Sequence, residues 1–169
     1  LIPSDFSAAS NQKEVYRLLL AQMEGLLEEE PHVLPALCNA SALVMAALPQ
    51  LNWSGFYLMA QGQLVLGPFQ GKPACIHIPL DRGVCGAAAR EKQTQRVADV
   101  HLFPGHIACD SASRSELVVP LVRQGQVLGV LDLDSPIPNR FSEEDQEGLE
   151  ALGTLLAEKC LWDGFRYFE

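Results

Sequence analysis

The chain predicts an α+β domain with helices laid against a central antiparallel sheet, on three observations. Sustained helical apolar spacing lies near the two ends, over about 11–48 and about 142–162. The stretch between them, about 52–134, is written in short β-branched and aromatic runs separated by glycine-containing turns. The last of those runs, "SELVVPLVRQGQVLGVLDLDS", reads as a β-hairpin turning at Gly125.

Each element has its local reason. Asn11 followed by Glu14 is a capping-box-like start, and Val15, Leu18, Leu19, Met23, Leu26 and Leu27 follow at helical spacing. Pro31 suits the first position of a second helix, nearly all apolar to about Leu48. "WSGFYLM" and "GQLVLGPF" are strands on either side of a turn at Gln61 and Gly62. "ACIHIPL" alternates, a short helix follows Gly83, and a loop-rich span runs from about Asp99 to Ser115. The closing helix begins at Ser142, with Asp145 completing the cap and Leu149, Leu152, Leu155, Leu156 and Cys160 on one stripe. Cys38 and Cys160 fall in apolar helical patterns and are expected in the core. With no repeat or linker, residues 1–169 are expected to form a single domain.

Composition narrows the function. Hydrophobic residues make up 48% of the chain, enough for a sizeable core. Twelve Lys and Arg stand against 21 Asp and Glu, a formal net charge of −9. Such a surface repels phosphate backbones and anionic lipid heads, so neither nucleic acid nor a membrane is an expected partner. No run approaches the roughly 18 apolar residues of a membrane span. The opening "LIPSDFSAAS" lacks the basic and apolar regions of a secretory signal. Five cysteines, at 38, 75, 85, 109 and 160, are an odd and sparse set, which favours a reducing, cytoplasmic setting.

The hairpin carries three acids. A three-residue loop of Arg123, Gln124 and Gly125 would pair Glu116 with Asp132 and put Asp134 on the same side, beside Val118, Val122, Leu128 and Val130. The opposite face would hold Leu117, Val119, Leu121, Val127, Leu131 and Leu133. A two-residue loop would turn Glu116 to the other face. Like charges directly opposite destabilise a sheet, so a shared face calls for a cation or a proton. Exposed carboxylates at a sheet rim fit the same pattern, and no ligand set for a divalent metal is evident.

Cys75, Cys85 and Cys109 lie outside the helical patterns, the last in the polar stretch "HIACDSASRSE". Three readings stay open. Zinc binding with His77 and His106 lacks the tight CxxC pairs of structural sites. A structural disulfide leaves one cysteine over. Redox catalysis would use an exposed thiolate and a resolving thiol. Trp53 and Tyr57, four apart in a strand, share a face, which sheet-to-helix packing explains as well as a ligand wall does.

A resemblance separates these readings. "NWSGFYL", "GPFQGKPACIHIPLDRGVCGAAA", "QRVADVHLFPGHIACDSASRSELVVPL" and "GVLDLDS" together resemble the GAF-domain free methionine-(R)-sulfoxide reductases over nearly the whole chain. The resemblance implies a GAF-like fold, with Cys109 as catalytic thiol and Cys75 resolving it as a disulfide. Cys85 matches a third cysteine that assists recycling or lines the pocket. Glu116, Asp132 and Asp134 match the pocket carboxylates, with Glu116 and Asp134 serving catalysis as well as binding, and Trp53 and Tyr57 match aromatics that hold the substrate's methyl end. It further implies free L-methionine-(R)-sulfoxide as substrate, thioredoxin as the usual reductant and, as often in the family, a homodimer; no cofactor or metal is expected. A GAF-type sensor is the alternative; it would share the fold and the "GVLDLDS" strand but not the three cysteines.

Overall fold

The computed structural model describes residues 5–168, which form four α-helices and a six-stranded sheet. The first two helices are α1 (Gln12–Glu29) and α2 (Val33–Ala47). Strands β1 (Trp53–Ala60), β2 (Gln63–Gly71) and β3 (His77–Ile78) lead to α3 (Gly83–Glu91). Then come β4 (Gln95–Val97), β5 (Ser115–Arg123), β6 (Gln126–Ser135) and α4 (Glu143–Lys159). The sheet order is β3-β2-β1-β6-β5-β4, with every neighbouring pair antiparallel. The α+β expectation holds.

The caps were legible at both ends. The Asn11 side chain accepts the Glu14 N–H, and Ser142 and Asp145 form a complete capping box. Pro31, however, does not open α2. Glu30, extended as a residue before proline must be, closes α1, and the Pro31 carbonyl accepts the Leu161 N–H. The helix starts two residues later, with His32 as its cap. Cys38 is also not in the core. In an almost wholly apolar helix the neighbours choose the buried stripe; it runs through Val33, Leu37, Ala40, Val44 and Ala47 and leaves Cys38 exposed. Cys160 is buried as expected.

The sheet separates two apolar layers. On one face Phe56, Leu58, Leu117, Val119, Leu121, Leu131 and Leu133 meet residues of α1, α2 and α4. On the other, Trp53, Tyr57, Val118 and Val130 meet Val84, Cys85, Ala88 and Ala89 of α3. This second layer is smaller. Among the described residues no helix is long and apolar enough to cross a membrane.

The β5–β6 hairpin departs from expectation twice, and the departures cancel. Its turn is the two-residue kind: Gln124 and Gly125 both take positive φ (52° and 78°), the twist that suits a tight hairpin. Arg123 therefore faces Gln126 and Val122 faces Val127. Leu128 is then an extra residue, a bulge, and beyond it Leu121 faces Gly129. The turn alone would have sent Glu116 to the helix-packed face; the bulge restores the alternation. Glu116 ends opposite Asp134, not Asp132, while Asp132 lies opposite Val118. Val127 and Leu128 trade faces, with Val127 on the α3 side and Leu128 on the other. Gly129 fits this crossing because a Cβ there would lie 2.3 Å from the Tyr57 carbonyl oxygen.

Candidate active site

Three central strands aim side chains into the layer under α3. Asp134 stands in register between Trp53 of β1 and Glu116 of β5, with Asp132 two residues along the same face. From above, α3 contributes Cys85, and the loop before β5 contributes Cys109. All seven of these predicted residues, Tyr57 included, line one cavity, together with Lys72, Ile107, Asp110 and Ser113. The eighth, Cys75, is joined to Cys109 by a disulfide, their Cα atoms 5.6 Å apart.

The loop over the cavity is tied down by polar contacts. The Asn52 side-chain amide donates to Asp110 Oδ2 (3.1 Å) and Ser113 Oγ (3.1 Å), while its backbone N–H donates to the Asp134 carbonyl. Asp110 accepts the Ala112 N–H, a side-chain-closed turn that holds its carboxyl below the ordinary carboxylate range. Gly83 takes φ of +77° at the start of α3, and a Cβ there would lie 3.0 Å from Ile107 Cδ1, so glycine lets the helix approach the Cys109 loop. Asn52, Asp110 and Ser113 were not singled out from the sequence. The Asp-x-Ala turn beside Cys109 was a local signal; the bonds from Asn52 were not.

Trp53 stacks on Tyr57 and on Phe69, with centroids 5.7 Å and 5.2 Å away, and its indole N–H donates to the Lys72 carbonyl. The aromatic pair thus serves both readings: it packs in the smaller core and walls the cavity. His106 lines the cavity; burial, then His101, lowers its pKa. Cys75 and Cys109, being bonded to each other, are not zinc ligands in this state.

The cavity floor is acidic and shielded from solvent. Glu116 is 6% exposed and Asp132 5%. Burial drives Glu116 well above the ordinary carboxylate range, and the charges of Asp132 and Asp134 add to it. Asp134 is raised for the same reasons, burial first and then Asp132 and Asp110. Asp132 rises to about 6, burial being partly offset by hydrogen bonding with Glu116 and Cys85. The Cys85 thiol is buried with its sulfur 4.0 Å from Glu116 Oε1, and burial followed by the carboxylates pushes its pKa well up. Desolvation and then the same acids raise Tyr57. Asp132 Oδ1 is buried with no hydrogen-bond partner. The floor can therefore hold protons on some groups and offer charge from another to a cationic guest.

Known proteins share this arrangement of chain. The GAF domain family model matches residues 40–158. Free methionine-R-sulfoxide reductase of Escherichia coli is 51% identical over 151 residues, spanning 89% of this chain and 91% of that protein. The Saccharomyces cerevisiae protein of the same name is 42% identical over 166 residues, 94% of this chain and 92% of its own. The X-ray structure of free methionine-R-sulfoxide reductase from Neisseria meningitidis in complex with its substrate has a TM-score of 0.89 at 41% identity, covering 94% of this chain and 95% of that one. The fold is a GAF fold, and the chain belongs to the GAF-domain free methionine-(R)-sulfoxide reductase family.

Proposed function

We propose that the protein is an oxidoreductase that reduces free L-methionine-(R)-sulfoxide to L-methionine. One observation supports this above the rest: the Cys75–Cys109 disulfide lies on a cavity floored by three carboxylates, two of them buried, and walled by Trp53. Reduction begins with the thiolate of Cys109, the competent nucleophile, attacking the sulfoxide sulfur while a neutral carboxylic acid gives a proton to its oxygen. Glu116 and Asp134, held protonated by burial and then by the charge of Asp132, are the acids for this step. The sulfur–oxygen bond breaks, oxygen passes to Cys109 as sulfenic acid, and methionine leaves. The Cys75 thiol then condenses with the sulfenic acid, forming the disulfide and releasing water. An outside dithiol accepts the oxidation and returns both thiols.

Binding follows the same geometry. Asp132, the least raised of the three, is ionised at neutral pH and pairs with the α-ammonium. The S-methyl group lies against Trp53 and Tyr57. Cys85 lines the floor and assists recycling. Thioredoxin fits the need for an outside dithiol, and the cytoplasm supplies it. The catalytic unit is a single domain acting as a homodimer.

The test is methionine formation, measured directly, coupled to NADPH consumption with thioredoxin and thioredoxin reductase. Turnover on the free (R)-sulfoxide supports the reading. Disulfide formation or ligand binding without methionine release would make the protein a GAF-type redox or ligand sensor instead.

A further inference from the structure

Cys85 Sγ, a Glu116 oxygen and an Asp132 oxygen lie within 4.8 Å of one another, all three residues buried. We infer that this trio is a binding site for a thiophilic divalent cation of the zinc class, separate in its ligands from the redox pair Cys75 and Cys109. The spacing is close to what such an ion needs. From zinc–sulfur and zinc–oxygen bond lengths, tetrahedral donors stand roughly 3.4 to 3.6 Å apart. The Cys85–Glu116 separation of 4.0 Å closes to that by a small side-chain rotation.

A second observation points to a guest at the same place. Asp132 Oδ1 is buried and unpartnered, on a residue lining the cavity, so one oxygen of that carboxylate is left for a guest to satisfy. Three anionic donors around one dication leave a single net negative charge, with the Cys85 thiol and the Glu116 carboxyl each releasing a proton as the ion binds. Three protein ligands leave a fourth position facing the cavity for water, the pattern of open zinc sites. The thiolate makes the site selective: soft and borderline ions fit, whereas magnesium and calcium prefer all-oxygen shells. Because Glu116 and Asp132 are also the carboxylates proposed to serve the substrate, zinc and free methionine sulfoxide would compete; that consequence rests on the proposed function, the site itself does not.

The test uses protein with the Cys75–Cys109 disulfide intact, so neither of those thiols can ligate. Titration with Co2+ should produce a thiolate-to-cobalt charge-transfer band saturating at one ion per chain. Zn2+ should displace it, and equal Mg2+ should not. Cys85→Ser should abolish the band, Asp132→Asn should weaken binding roughly tenfold or more, and Cys38→Ala, at an exposed thiol, should leave it unchanged. Independently of any variant, X-ray absorption of the zinc-loaded wild type should show one sulfur at about 2.3 Å with the remaining ligands oxygen at about 2.0–2.2 Å. No band, a band that survives Cys85→Ser, displacement by Mg2+, or a sulfur-free zinc shell would each overturn the site. Loss of reductase activity with a normal cobalt band would count against the proposed function and not against the metal.

Discussion

Removing the α-ammonium from the substrate should nearly abolish turnover. In the acidic floor Asp132 keeps an unpartnered buried oxygen, and its pKa near 6 leaves it charged at neutral pH. A free amino acid brings an ammonium to that oxygen; an N-acetylated or peptide-bound methionine sulfoxide brings a neutral amide and extra bulk. A hydrogen bond to a charged group contributes about 1.5 to 3 kcal/mol, which is roughly ten- to hundred-fold in kcat/KM before steric exclusion is counted. The assay is methionine or N-acetylmethionine release under identical thioredoxin cycling, comparing kcat/KM for free and acetylated (R)-sulfoxides. Asp132→Asn should shrink the difference between the two substrates, because the charge that distinguishes them is gone. Comparable kcat/KM for both substrates on the wild type would refute ammonium reading by the carboxylates.

Four further outcomes are expected. Cys109→Ser should release no methionine even in a single turnover, whereas Cys75→Ser should complete one turnover and fail to cycle with thioredoxin; wild-type cycling by either variant would reverse its role. Asn52→Ala, which unties Asp110 and Ser113 from the sheet, should lower kcat more than it raises KM, and an unchanged kcat would show that the tether does not position Cys109. Asp132 is raised from 3.8 to about 6, so its contribution to stability is fully present below pH 3.8 and is lost as pH rises through 6. In chelator-treated buffer, Asp132→Asn should therefore gain stability relative to wild type between pH 4 and pH 6 and level off above; a pH-independent difference in denaturant midpoint would contradict it. Gly129→Ala places a Cβ against the Tyr57 carbonyl in a central strand and should cost about 1 to 3 kcal/mol by thermal or chemical unfolding, and an unshifted midpoint would show that β1 can yield there.

Much of this architecture could be read along the chain because its signals are local. Caps at Asn11 and Ser142, the turn at Gln61 and Gly62, and alternating strands each declare themselves within a few residues. The failures came where a neighbour makes the choice. Cys38 could not be placed from a helix apolar on nearly every side, since the sheet beneath α2 selects its face, and Pro31 is held outside that helix with its carbonyl accepting from Leu161, far along the chain. The hairpin register depended on a bulge at Leu128 that no turn residue announces. Its effect was to rescue a conclusion reached by the wrong pairing: the three carboxylates do share a face, with Glu116 opposite Asp134. Contacts between distant segments were beyond local reading altogether. The disulfide joins residues 34 apart and came only through family resemblance, while the Asn52 bonds span 58 and 61 residues and were not foreseen at all.

The two-layer build explains how a fold can keep three acids and a thiol in its interior. The face under α1, α2 and α4 carries Leu117, Val119 and Leu121 of β5 and Leu131 and Leu133 of β6, so the main core is insulated from the acidic floor by one sheet thickness. The cost of burying Glu116 and Asp132, with Asp134 beside them, falls on the smaller layer beneath α3, which is also the layer the Cys109 loop and a guest can enter. Stability and chemistry are thereby placed on opposite sides of the same strands, and period-two alternation alone keeps them apart. A residue inserted into β6 between Leu128 and Asp132 would reverse that alternation for both acids beyond it. It should therefore damage folding and activity together, whereas conservative changes among Leu117, Leu131 and Leu133 should lower stability while leaving the substrate preference for a free amino acid intact.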